Sequence, residues 1–149
     1  MKNLLLTLLS SLTLTASALA HGDVELGPNG GHLLEFSKNE SLHGEVILKD
    51  GKFQIGLLDK EHKPVALTAQ QLTATSADRD KPQKFSVEIQ DGKFVVPAVK
   101  EGDWIIFQFK EAATAKPVTA RMHYDTKTCS ACKEPEWLCK CAQNEDKKK

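Results

Sequence analysis

All four cysteines of the chain fall in one short stretch, as Cys129-Ser130-Ala131-Cys132 followed by Cys139-Lys140-Cys141. A Cys-x-x-Cys pair lets two thiolates of one turn reach a single tetrahedral Zn²⁺, and Cys-x-Cys can also chelate, above all soft Cu⁺. The second pair departs from zinc-ribbon spacing. Two disulfides linking the pairs across the loop that carries Trp137 would use the same sulfurs, and dithiol redox chemistry is a third use. No βαβ pattern surrounds Cys129 and Cys132, so thioredoxin-like chemistry lacks its scaffold. As ligands, the four thiols imply copper or zinc.

Histidine is the other donor for such metals. The chain opens with Lys2, an apolar run over residues 4–14 and then Ala18-Leu19-Ala20, which is the charged start, short hydrophobic middle and small-x-small site of a secretory signal peptide. The run is shorter and more diluted by Ser and Thr than the roughly 20 apolar residues a membrane span needs. Residues 1–20 are therefore read as a signal peptide, and the mature chain as soluble, periplasmic or secreted, with no membrane span and no cysteine near the cleavage site to carry a lipid. Cleavage after Ala20 leaves His21 as the N-terminus, where its amine and ring can chelate together. His32 completes such a site if the loop over residues 28–31 folds back. The plain alternatives are that cleavage happens to leave a histidine and that His32 is a polar strand-edge residue. His43 and His123 are expected on outward faces, His62 in a turn over residues 60–64, and Trp104 and Trp137 as packing groups.

The charge balance, Lys and Arg 20 against Asp and Glu 20, offers no basic face for nucleic acid. The chain also lacks a nucleophile elbow, a His-Glu-x-x-His helix and a Gly-rich phosphate loop opening a helix. Gly27-Pro28-Asn29-Gly30-Gly31 reads as a turn. A catalytic role is not expected.

The elements that must position these residues read as strands. Asp50-Gly51 joins residues 43–49 to 52–58, and Asp91-Gly92 joins 84–90 to 93–97. Asp-Gly between strand-like runs is a strong hairpin signal, because both turn residues need positive φ. Phe85, Val87 and Ile89 alternate with polar neighbours, as do Ile105, Phe107 and Phe109, and Val118, Ala120, Met122 and Tyr124. Adding residues 32–36 and 71–76 gives an all-β chain, an antiparallel β-sandwich, Ig-like, of about seven to eight strands. The expected organisation is signal peptide 1–20, sandwich 21–125 and a Cys-rich, Lys-rich tail 126–149. That tail's composition buries little, so its order is expected to depend on the cysteines.

At Gly27-Pro28-Asn29-Gly30-Gly31-His32-Leu33-Leu34 the chain resembles the small N-terminal β-domain of periplasmic adaptor subunits of heavy-metal efflux pumps and related stand-alone exported proteins. Those open with Gly-Pro-His-Gly-Gly, a basic residue and an apolar pair. The resemblance continues through residues 53–59 and Lys63-Pro64-Val65 and ends near Asp125. Asn29 stands where the family often has histidine, His32 where a basic residue is usual, and the cysteine tail lies outside the pattern. The membrane-fusion and hairpin regions of a complete adaptor have no counterpart in this sequence. The resemblance implies an exported β-sandwich in a metal-handling context, with an envelope efflux component as a partner.

Together these readings predict a periplasmic metal-binding protein that buffers or delivers copper or zinc. Cys129, Cys132, Cys139 and Cys141 form its first site and His21 with His32 a second. The alternative is a metal-free envelope interaction module with a disulfide-braced tail.

Overall fold

The computed structural model describes residues 24–78 and 80–141, so the expected signal peptide, residues 1–20, and His21 lie outside the described residues. The chain is all-β. Its strands are β1 (His32–Glu35), β2 (Leu42–Lys49), β3 (Lys52–Asp59), β4 (Pro64–Val65) and β5 (Gln71–Ser76), then β6 (Lys84–Phe85), β7 (Glu88–Gln90), β8 (Lys93–Pro97), β9 (Trp104–Lys110) and β10 (Val118–His123). One 3-10 turn, Glu136–Leu138, follows in the cysteine region. No helix among the described residues is long and apolar enough to cross a membrane.

Two antiparallel sheets result. The first runs β1-β2-β3-β8-β7, with β4 also paired to β3, and the second runs β10-β9-β5-β6. Both Asp-Gly turns form as their chemistry requires. Asp50 and Gly51 have φ of 52° and 71°, and Asp91 and Gly92 have 50° and 71°. These pairs close the β2–β3 and β7–β8 hairpins in register, with Lys49 opposite Lys52 and Gln90 opposite Lys93.

The count exceeds the expected seven to eight strands for two local reasons. Lys63-Pro64-Val65 adds the short β4 beside β3. The run 84–90, expected as one strand, divides: β6 pairs with β5 in the second sheet, whereas β7 pairs with β8 in the first. The chain changes sheets at Ser86 and Val87, which breaks the alternation. Phe85 and Val87 still pack against the core, but Ile89, on the edge strand β7, is 63% exposed.

The core draws on both sheets. From the first come Val46, Phe53, Ile55, Phe94 and Val96, and from the second Leu72, Ala74, Ile105, Phe107, Phe109 and Met122. The Phe36 and Phe109 rings stack with centroids 4.6 Å apart, joining the end of β1 to β9. The core does not stop at the end of β10. Tyr124 and Trp137 belong to the same cluster, and Leu138 packs against it.

Candidate metal centre

After Asp125 the chain turns back on itself. Thr128 and Pro135 form an antiparallel bridge. The Cys129 amide donates to Glu134 O at 2.8 Å, the Lys133 amide to Cys129 O at 3.1 Å, and the Glu136 amide to Lys127 O at 2.8 Å. Lys133 takes a φ of 68°, the left-handed conformation that ends the Cys-x-x-Cys turn, and its Nζ donates to Ser130 O at 2.7 Å. The Trp137 amide then donates to Asp125 O at 2.9 Å, which returns the chain to the base of β10. These backbone bonds shape the loop independently of its sulfurs. Alongside the cysteines, these backbone bonds and Trp137, expected as a packing group, shape the described part of the tail, residues 126–141.

Trp137 is the anchor. Its indole is 6% exposed and lies 5.6 Å from the Tyr124 ring and 6.2 Å from Phe53, between centroids. His32 stacks nearly parallel to it at 6.5 Å, and the His32 Nδ1 lies 2.8 Å from the Trp137 carbonyl oxygen. A carbonyl only accepts, so this bond requires the Nδ1–H tautomer. Burial holds the His32 pKa below its ordinary value, against the opposing pull of the Trp137 carbonyl. The neutral ring is thus favoured.

With the loop so fixed, the four sulfurs converge. Cys129 Sγ lies 3.8 Å from Cys141 Sγ, and Cys132 Sγ lies 3.6 Å from Cys139 Sγ. All four sit within 4.8 Å of one another. A regular tetrahedron of Zn–S bonds of about 2.3 Å has S···S edges of about 3.8 Å. The spacing is compatible with a four-thiolate metal site, and neither of the two close pairs is at the roughly 2.05 Å of a disulfide. All four thiols are free.

The electrostatics are uneven. The backbone amides of Cys132 and Ala131 point at the Cys129 sulfur and, with Cys139, lower its pKa to about 6. Cys141 is raised to about 12 by its contacts with Cys132, Cys139 and Cys129, then by burial and the charge on Cys129. At Cys139 the Cys141 amide, which reaches its sulfur at 3.4 Å, pulls downward, yet burial and Cys129 outweigh it and leave the thiol raised. One thiolate therefore forms readily while its neighbours resist sharing that charge. A dication is the group that relieves such repulsion. Cys129 is buried, Cys132 exposed, and Cys139 and Cys141 lie between.

The other histidines are placed differently. His32 is not grouped with the four sulfurs. His43, expected on an outward face, is buried at 8% exposure, with Nε2 3.2 Å from Glu35 Oε2 and Nδ1 3.4 Å from Asp59 O. The turn after β3 covers that face, and His62 in it meets the His43 ring edge-on at 5.1 Å. His123 stacks on Trp104 at 4.9 Å and its Nε2 lies 2.9 Å from Gly102 O. Trp104 itself remains 46% exposed, so only Trp137 is a core group.

Sequence reading missed Glu45, a carboxylate only 3% exposed on β2. It accepts bonds from the Asn29 amide at 2.7 Å, from Asn29 Nδ2 at 2.7 Å and from the Gly31 amide at 3.1 Å. The Gly-Pro-Asn-Gly-Gly turn is thus wrapped on a buried carboxylate. A Cβ at Gly27 would fall 2.5 Å from Glu45 Cδ, and one at Gly31 would fall 2.5 Å from Val46 O. The available signal was an acidic residue in an otherwise largely apolar strand, following a Gly-rich turn.

The chain matches no protein-family model, no curated protein and no solved structure. Its chemistry is read from its own residues.

Proposed function

We propose that this is an exported, periplasmic metal-binding protein that holds one soft or borderline ion, copper or zinc, on Cys129, Cys132, Cys139 and Cys141, to buffer it or pass it on. The observation that carries this reading is the approach of four sulfurs to within 4.8 Å of one another. The leader-like start of the chain supports export. The resemblance to efflux-adaptor β-domains supports a metal-handling envelope context with an efflux component as recipient. We take the two sheets as an Ig-like sandwich and its role as binding rather than catalysis. His32 serves in this reading as a clamp on Trp137, which joins the cysteine loop to the core.

The test is anaerobic titration of the reduced mature protein with Zn²⁺ and with Cu⁺, followed by native mass. One tightly held ion per chain is expected, lost when all four cysteines become serine. Equal metal stoichiometry in both proteins would remove the cysteine loop from the proposal.

A further inference from the structure

We propose that the cysteine centre is a redox-gated store, in which oxidation closes two nested disulfides, Cys129–Cys141 and Cys132–Cys139, and releases the ion. This rests on the metal reading above and adds its regulation. Four cysteines allow three pairings. The structure favours one of them, since the two Sγ–Sγ hydrogen bonds, at 3.8 and 3.6 Å, are those of the nested pairing. Closing each to a bond needs an approach of about 1.5–1.8 Å.

The frame around the sulfurs survives the change. The Thr128–Pro135 bridge, the amide bonds to Glu134 O, Lys127 O and Asp125 O, and the Trp137 seat involve no sulfur. Exposure sets the order of events. Cys132 is the exposed thiol, and it hydrogen-bonds to the Cys139 sulfur 3.6 Å away.

With hydrogen peroxide as the oxidant, the Cys132 thiolate attacks the O–O bond, giving a sulfenic acid and hydroxide. The Cys139 thiolate attacks that sulfur, forms the Cys132–Cys139 bond and expels a second hydroxide. Only Cys129 and Cys141 then remain as ligands, too few for a tetrahedral site. A second peroxide closes them in the same way. In sum, four thiolates lose four electrons, two peroxides become four hydroxides, and one ion is freed.

The experiment is peroxide titration of the reduced, Zn²⁺-loaded mature protein, and of its metal-free form, reading ion release to a chromogenic chelator, intact mass and peptide connectivity. Zn²⁺ release that tracks formation of the first bridge, two peroxides consumed per chain in all, and a final mass four hydrogens below the reduced chain are expected. Trypsin, cutting after Lys127, Lys133 and Lys140, should leave peptide 128–133 joined both to peptide 134–140 and to the peptide that starts at Cys141. Cys129→Ser with Cys141→Ser, and Cys132→Ser with Cys139→Ser, should each still close one bridge, and Cys129→Ser with Cys139→Ser should do so about tenfold more slowly. A 128–133 peptide bridged within itself, or equal rates in the crossed double variant, overturns the pairing while leaving the metal reading intact. Zn²⁺ retained through full oxidation overturns the release step. No Zn²⁺ uptake by reduced protein defeats the metal reading and the gate together, whatever pairing the metal-free form shows.

Discussion

Cys129 and Cys141 sit 3.8 Å apart, yet the Cys129 thiol is pulled down to about 6 and the Cys141 thiol pushed up to about 12. Two backbone amides aimed at one sulfur, and a crowd of sulfurs around the other, account for the difference. Metal binding must strip the proton from Cys141 and from the raised Cys139, so affinity should climb with pH. In the metal-free protein the unfolded chain binds the Cys129 proton more readily than the folded one. The stability this residue adds is therefore complete above its ordinary value of 9.0 and is lost as pH falls through about 6. Cys141 has the opposite sign, its contribution being complete below 9.0 and lost as pH rises towards about 12. Thiolate ultraviolet absorbance of the reduced, metal-free protein should show a first step near pH 6 that Cys129→Ser deletes and a last step near pH 12 that Cys141→Ser deletes. A single step near 9 for all four thiols would refute the arrangement.

Between residue and fold, the decisive element is the loop that runs from Asp125 to the 3-10 turn. It is held by backbone bonds and by one large side chain inserted between Tyr124, Phe53 and His32. Trp137→Ala should cost about 3–5 kcal/mol in urea denaturation, the usual range for truncating a buried aromatic. It should also weaken metal retention by loosening the loop. A cost below about 0.5 kcal/mol, the scale of surface changes, would show that the loop is not part of the core. The hairpins were legible in sequence because Asp-Gly turns act locally, through positive φ at both positions. The run 84–90 was not. Its apolar alternation looks uniform, and only the competing partners β5 and β8 divide it into strands of different sheets.

For the whole molecule, the two sheets share a core, with its Phe36–Phe109 stack, that includes none of the four cysteines. Chelation should therefore leave the far-ultraviolet β-sheet signal unchanged while altering the near-ultraviolet signal of Trp137. Cooperative loss of the sheets on chelation would show that the metal site organises the entire fold.

The sequence by itself determined the all-β class, the Asp-Gly hairpins, the buried faces of β9 and β10, and the grouping of every cysteine in one loop. These follow from turn chemistry, period-two alternation and proximity along the chain, each confined to a few residues. Only the tertiary structure decided that Trp137 seats the cysteine loop in the core, that His32 clamps it, that His43 is buried against Glu35, and that Glu45 holds the Gly-Pro-Asn-Gly-Gly turn. Each of those contacts joins positions distant in sequence, and burial at such a contact depends on what another strand or loop lays over it.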